Sequence, residues 1–222
     1  MGKRVLITGA NGMIGQIILH KCLEDREVRE VITITRKELH SAHPKLKSII
    51  HSDFMNYNSL IADFEDIDIC YYCLGVYTGA VPKKLFFEIT VDYTKAFAQF
   101  LYEKSPDAHF CFLSGMGADR TEKSKMAFAK AKGMAENFLL QLGFGQLAIF
   151  RPGYIYPVQK RIEPNFFYVI NRKLYPLLKW IYPNIGLNSD QLASSMYKAG
   201  FEKVPKAILE NKDIIQYLSS LH

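Results

Sequence analysis

Three glycines near the amino terminus have the spacing of a nucleotide-binding turn. Gly9, Gly12 and Gly15 directly follow the apolar run 4–7, and they open an amphipathic stretch that reaches Leu23. Between a strand and a helix, such glycines allow a tight turn, close approach of the backbone to a pyrophosphate, and close packing of helix on strand. The N–H groups at the helix start then face the phosphates. An ordinary structural turn is the alternative, but the flanking elements favour a dinucleotide site formed by Gly9, Asn11, Gly12, Met13 and Ile14.

Residues that could select the nucleotide follow the second and third apolar runs. Arg36 and Lys37 stand where related folds hold the adenosine ribose, and no acidic residue lies between the end of the second apolar run and Glu38. An acid at this place suits a 2′-hydroxyl and an arginine suits a 2′-phosphate, so the pair favours NADP over NAD. A basic loop at a strand end is the plainer alternative. Asp53 could accept a hydrogen bond from the adenine amino group, with Phe54 backing the ring, or Asp53 could simply cap the next turn.

Apolar runs and amphipathic stretches alternate along the first two thirds of the chain. Such alternation is typical of a parallel sheet covered by helices on both faces. We therefore predict an α/β fold, a Rossmann-like doubly wound parallel sheet with a small C-terminal capping region. The predicted strands span residues 4–7, 31–35, 46–51, 67–74, 109–114 and 147–150, and the main later helices span about 84–104 and 126–142.

The alternation loosens after Pro157. We predict an NAD(P)-binding domain over residues 1–157 and a small part over 158–222 that completes the crevice within the same globular unit. Inside this part, segment 166–182 interleaves aromatic residues with cations. Such a segment could lie as a helix at a membrane surface. A lid over the crevice or a dimer surface is the favoured interpretation, because a small capping region needs such residues to form a core.

Length and charge restrict the class of protein. A chain of 222 residues can bury one α/β core but not two full domains. The net charge is +6, but the sequence contains no long basic run, so nucleic-acid binding is not predicted. We predict instead a solvated basic surface with a pocket for anionic phosphates. The chain shows neither a signal peptide nor an apolar stretch long enough to span a bilayer, so we expect a cytoplasmic protein.

Two of the four cysteines are three residues apart and invite a metal or redox interpretation. Cys70 and Cys73 lie within an apolar run that is predicted to be a strand. Residues three apart on a strand point to opposite faces, so one metal ion could not easily bind both. We therefore predict buried small hydrophobic residues and no metal site.

Taken together, these motifs resemble the short-chain dehydrogenase/reductase superfamily in its extended and atypical branches, and they are similar to the Tat-interactive protein oxidoreductases. The resemblance covers most of the chain. It implies that Cys73, Leu74, Gly75 and Pro152 line the cofactor. The matching strings are 8–15, 53–54, 73–75, 91–93, 114–119, 132–133, 151–153, 189–193 and 209–212.

The resemblance also implies a catalytic set, and one member is altered. Active members carry a Tyr-x-x-x-Lys pair on the fifth helix and a serine upstream, which correspond here to Phe128, Lys132 and Ser114. In the family, the tyrosine exchanges a proton with the substrate oxygen, the lysine lowers the tyrosine pKa and holds the nicotinamide ribose, and the serine orients the carbonyl. Phenylalanine has no ionisable O–H group and cannot act as general acid.

Three interpretations of this change stay open at the level of sequence. In the first, the chain binds NADP and acts as a cofactor-dependent binding or regulatory protein. In the second, it is an oxidoreductase or epimerase with another proton donor. In the third, it is an enzyme of another type in which the nucleotide has a structural role. Tyr77 and Tyr154 fall in loops that could face the crevice, although packing roles are the plainer expectation for both. The expected partners are the nucleotide and an unidentified small molecule, and the chain is expected to be a monomer or a homodimer.

Overall fold

The computed structural model describes residues 2–39, 41–158 and 186–219. The strands are β1 (Lys3–Thr8), β2 (Val28–Thr35), β3 (Leu46–Ile50), β4 (Ile69–Tyr72), β5 (His109–Leu113), β6 (Gln146–Arg151), β7 (Tyr154–Tyr156), β8 (Gly186–Asn188) and β9 (Ile208–Glu210). The helices are α1 (Met13–Glu24), α2 (Ile61–Phe64), α3 (Lys83–Phe87), α4 (Tyr93–Lys104), α5 (Ala127–Leu142), α6 (Ser189–Phe201) and α7 (Asn211–Ser219).

Seven of these strands form one parallel sheet in the order β3-β2-β1-β4-β5-β6-β9. The chain first winds outward from β1 to β3 and then returns to place β4 on the other side of β1. This order confirms the predicted Rossmann-like doubly wound fold. The reversal between β1 and β4 opens a crevice at the carboxyl ends of these strands, where ligands bind in such sheets.

Each face of the sheet has its own apolar core. One core joins α1, α6 and α7 to the sheet, with Ile18, Met196 and Ile214 among its buried residues. The other joins α2, α4 and α5 to the opposite face and includes Phe97 and Leu139. Burial on both faces explains why the strands are continuous apolar runs rather than alternating ones.

The two paired cysteines follow the same division. Cys70 belongs to the core under α4 and α5, whereas Cys73 packs beside the core under α1 and α6. Their opposite orientation is as predicted from strand geometry. All four cysteines are free thiols.

The predicted helix over 84–104 is divided into three pieces. Between α3 and α4 lies a π-helical turn, Glu88–Asp92. Such a turn inserts a residue and rotates the faces of the flanking helices relative to each other. Phe86 and Val91 therefore pack with Ala131 of α5, while Phe97 in α4 packs against the sheet.

The carboxyl-terminal residues contribute more to the main sheet than the sequence pattern indicated. β9 extends the sheet beyond β6, and α6 begins with a capping box between Asn188 and Gln191. Three residues are too few to show strand periodicity, so β9 was not predicted. The division at residue 157 stays a prediction. Segment 166–182 lies outside the described residues, and within those described no helix is long and apolar enough to cross a bilayer.

Candidate functional site

The glycine turn between β1 and α1 has the geometry that the sequence predicted. Gly9 has a φ of +76°, and a β-carbon there would stand 2.5 Å from the backbone of Cys73. Gly12 caps α1 with extended backbone angles, and its N–H donates to the carbonyl oxygen of Gly9 at 2.9 Å. A β-carbon on Gly15 would meet that same oxygen at 2.2 Å. The turn is therefore compact, and the residue that caps α1, Gly12, has no side chain.

A cavity of about 760 Å³ opens beside this turn and runs along the ends of the central strands. It brings together most of the residues predicted from the sequence. Gly9, Arg36, Lys37, Asp53 and Phe54 are not in its wall. The predicted residues that line it are Asn11, Gly12, Met13, Ile14, Cys73, Leu74, Gly75, Tyr77, Ser114, Phe128, Lys132, Pro152 and Tyr154.

Phe128 is an apolar residue in the wall of this cavity. The Phe128 ring packs beside Phe86 and Val91 from the α3 and π-helical segment. A β-carbon on Gly115 would meet Cζ of Phe128 at 2.5 Å, so the tip of the ring lies against the backbone that follows β5. Position 128 is therefore occupied by a packed apolar side chain.

Lys132 lies one turn further along α5, on the same face as Phe128. Its Nζ donates to the carbonyl oxygen of Leu113 at 2.9 Å and lies 4.8 Å from the centre of the Phe112 ring. Burial lowers the pKa of Lys132 to about 8, and the charge of Glu136 opposes that shift. The amine is thus a buried group in the cavity wall that gains or loses a proton near neutral pH.

Ser114 is engaged by a carboxylate that the sequence analysis missed. Its Oγ donates to Oε1 of Glu136 at 2.5 Å, and Glu136 is fully buried. Arg151 binds both oxygens of Glu136 and also donates to Oε1 of Glu210 at 2.8 Å. Hydrogen bonds to Glu136 raise the pKa of Arg151. The signal for Glu136 was its position four residues after Lys132, on the same face of α5.

Cys73 also borders this end of the cavity. Burial raises the pKa of the Cys73 thiol to about 12, against a smaller opposing effect from the charge of Lys132. The thiol therefore stays protonated at neutral pH, and a thiolate nucleophile is not available there.

The basic loop after β2 is tied to the glycine turn. Arg36 and Lys37 are exposed, and the side-chain amide of Asn11 donates to the carbonyl oxygen of Lys37 at 3.3 Å. Arg36 also lies near Tyr93. Burial and the hydrogen bond to Glu88 raise the pKa of Tyr93, and the charge of Arg36 opposes them. Two cations therefore stand beside the turn at the side where an adenosine ribose would lie.

The pair predicted for the adenine ring lies at the same end of the crevice. Oδ1 of Asp53 accepts from the backbone N–H of Met55 at 3.1 Å, which is the turn-capping alternative. Phe54 is buried, and its ring stacks on Tyr93 with a centroid distance of 5.6 Å. The adenine-binding role of the pair stays a prediction.

The family model described as NAD dependent epimerase/dehydratase family matches residues 5–136, more than half of the chain. The chain belongs to this family. Binding of NAD(P) is typical of the family, and the matched range contains the glycine turn, Ser114, Lys132 and Glu136. The membership agrees with the superfamily resemblance that the motifs predicted.

Two curated relatives are similar to this chain at low identity. Protein HTATIP2 of Rattus norvegicus is 28% identical over 165 residues, which cover 73% of this chain and 67% of HTATIP2. The mitochondrial protein FMP52 of Emericella nidulans is 25% identical over 231 residues, which cover 96% of this chain and 94% of that protein. The first relative matches the resemblance to the Tat-interactive protein oxidoreductases.

Solved structures share the fold. Gre2 of Candida albicans in complex with NADPH has a TM-score of 0.71 and 15% identity, covering 94% of this chain and 77% of Gre2. MoeE5 in complex with UDP-glucose and NAD has a TM-score of 0.67 and 14% identity, covering 98% of this chain and 81% of MoeE5. At these identities the likeness establishes architecture, and function must be argued from the site.

Proposed function

We propose that this chain binds NADP(H) in the crevice and acts as a cofactor-dependent binding or regulatory protein that does not reduce carbonyls through a tyrosine. The observation that carries this proposal is Phe128 at the tyrosine position, with Lys132 and Ser114 retained beside it. Loss of the general acid forfeits a factor of about 10²–10⁴ in rate. The nucleotide site is kept, whereas the proton donor is not.

The residues present fit the nucleotide. The bare turn at Gly12 leaves room for a pyrophosphate at the start of α1, and a β-carbon would enter that room. Lys132 reaches the cavity wall where the nicotinamide ribose is expected, and Arg36 and Lys37 suit a 2′-phosphate. When bound, the nicotinamide would supply or accept a hydride. The chain's own residues bind and orient it.

A second candidate is an oxidoreductase or epimerase with a different proton donor. The specific observation in its favour is Lys132, whose buried amine lines the cavity and has a pKa lowered to about 8 by burial. A general acid works best when its pKa is near the operating pH. Tyr77 and Tyr154 also line the cavity and are the phenolic alternatives. An unidentified small molecule is the expected second ligand in either case.

We expect a monomer or homodimer without nucleic-acid ligands, in the cytoplasm. Contact of segment 166–182 with a membrane surface is the less favoured alternative to a lid or a dimer surface.

The experiment that tests the proposal combines binding with turnover. NADPH is titrated into the full chain by calorimetry, and NADPH oxidation is then followed with a panel of aldehydes, ketones and quinones. We expect binding without turnover. Robust turnover that is lost in Tyr77→Phe, Tyr154→Phe or Lys132→Met would replace the proposal with the second candidate.

A further inference from the structure

The Ser114 hydroxyl donates its single hydrogen to Glu136 and not into the cavity. Ser114 Oγ lies 2.5 Å from Oε1 of Glu136, whose two oxygens are both bound by Arg151. A carboxylate paired in this way accepts hydrogen bonds and donates none, and a serine has only one hydrogen to give. The hydrogen therefore belongs to the bond with Glu136. The oxygen of Ser114 keeps lone pairs for the cavity that it borders.

The network behind Ser114 holds this arrangement firmly. Arg151 on β6 donates through Nε to Oε1 of Glu136 at 2.9 Å and through Nη1 to Glu210 on β9 at 2.8 Å. The guanidinium is a rigid planar fork, so its position fixes the carboxylate. Turning the Ser114 hydroxyl toward the cavity would remove a charge-assisted hydrogen bond from a fully buried carboxylate, which is unfavourable.

The other expected donor to a carbonyl oxygen is also missing. Phe128 presents only ring carbons where the family has a phenol. Lys132 gives one hydrogen to the carbonyl oxygen of Leu113 and lies over the Phe112 ring. Neither the serine nor the residue at position 128 can therefore donate to a ligand carbonyl.

The wall around Ser114 is largely apolar. Val76, Met116, Ile155 and Pro157 line the cavity together with Phe128. A ligand that fills this end of the crevice would bury hydrocarbon and place one polar group against Ser114.

We propose that Ser114 accepts a hydrogen bond from the ligand, so that the crevice takes a hydroxyl-bearing, otherwise apolar small molecule rather than an aldehyde or ketone. Glu136 is the positioning residue, because it sets the direction of the Ser114 hydroxyl without touching the ligand. The inference rests on the proposed function, since it names the ligand class of the same crevice.

Neutron diffraction from deuterium-exchanged crystals of the full chain tests the positioning role directly. We expect the deuterium on Ser114 Oγ to lie on the line to Oε1 of Glu136. A deuterium that points into the cavity would overturn the inference. If Glu136 only supported the fold, the deuterium on Ser114 could point in either direction.

A matched pair of probes tests the ligand class. Cyclohexanol and cyclohexanone differ little in shape, and their dissociation constants are measured by NMR titration with and without NADP⁺. One hydrogen bond to Ser114 should make cyclohexanol bind about five- to tenfold more tightly. Ser114→Ala should abolish this preference and Ser114→Thr, which keeps a hydroxyl, should retain it. Tighter binding of cyclohexanone, or an unchanged preference in Ser114→Ala, would overturn the inference.

Parallel NADPH titration separates the two proposals. Binding of NADPH together with a preference for cyclohexanone would contradict the ligand class alone. A preference for cyclohexanol without any NADPH binding would contradict the proposed function and leave the direction of the Ser114 hydrogen bond supported.

Discussion

The tip of the Phe128 ring lies against Gly115, so closely that a β-carbon at position 115 would stand 2.5 Å from Cζ. Cζ is the carbon that bears the hydroxyl in tyrosine. The contact therefore occupies the direction in which a phenol oxygen would extend. Phe128 also packs against the apolar cluster that contains Phe86 and Val91. The local apolar packing suits phenylalanine at position 128.

Phe128→Tyr should restore a proton donor at a measurable cost in stability. The added hydroxyl must be accommodated beside Gly115, and overpacking of this kind costs about 1–3 kcal/mol. With NADPH and the carbonyl panel, we expect turnover at least about 10²-fold above wild type. The free energy of unfolding in denaturant measures the cost.

Phe128→Leu is the matched control, because it alters the same packing without adding a donor. It should stay as inactive as wild type. Wild-type turnover that is robust and unaffected by either substitution would show that position 128 does not govern the chemistry.

Gly12→Val and Gly15→Val should separate cofactor binding from folding. A β-carbon on Gly12 meets only the Gly9 oxygen at 3.1 Å, and its φ of −84° suits any residue. The same atom on Gly15 would meet that oxygen at 2.2 Å. We expect Gly12→Val to fold and lose NADPH binding, and Gly15→Val to be severely destabilised. Thermal unfolding and calorimetry measure the two effects.

The result for Gly12→Val decides where the nucleotide lies. If this variant bound NADPH with wild-type affinity, the pyrophosphate could not approach the backbone at this turn. The site would then have to be sought elsewhere in the molecule.

Lys132→Met should stabilise the protein at neutral pH. Burial lowers the pKa of Lys132 from 10.5 to about 8, so the folded state binds this proton less tightly than the unfolded chain. The resulting penalty is about 3 kcal/mol at most and is fully present below pH 8. It is relieved as the pH rises from 8 toward 10.5, because the folded state loses the proton first. The lost hydrogen bond to Leu113 offsets part of the gain.

Denaturant unfolding between pH 7 and pH 10 tests this pH dependence, with the pH range set by the folded and unfolded pKa values of Lys132. The advantage of Lys132→Met over wild type should shrink as the pH rises. Lys130→Met removes a half-buried lysine from the same helix and serves as the control. A variant advantage that grows with pH would contradict the assigned burial penalty.

The fold could be predicted from the sequence for those strands whose burial requires a long run of apolar residues. The inner strands β1, β4, β5 and β6 contain apolar runs, because parallel strands are buried on both faces. The edge strand β3 is partly exposed and contains Lys47 and Ser48. β9 has only three residues, and its place beside β6 depends on α6 and α7 covering the same face as α1. Such short elements are specified by tertiary packing and carry no periodicity of their own.

Site residues could be predicted from the sequence where they belong to one local motif. Gly9, Gly12 and Gly15 are adjacent in sequence, and their roles follow from one turn. The bond between Ser114 and Glu136 joins a strand end to the middle of α5. The position of Glu136 four residues after Lys132 indicates a shared face of α5, but it does not indicate Ser114 as the partner. The stacking of Phe54 on Tyr93 depends on the aromatic core between β3 and α4, which no local spacing indicates.

Calorimetric titration of the full chain with NADPH and with NADH decides whether this crevice binds NADP(H). We expect NADPH to bind more tightly, and Arg36→Ala to weaken NADPH binding about 10- to 100-fold with little effect on NADH, because a charge-assisted hydrogen bond to the 2′-phosphate is lost. Arg29→Ala removes an exposed arginine from the other end of β2 and should change neither affinity. Absence of NADPH binding, or equal affinities that Arg36→Ala leaves unchanged, would contradict the account.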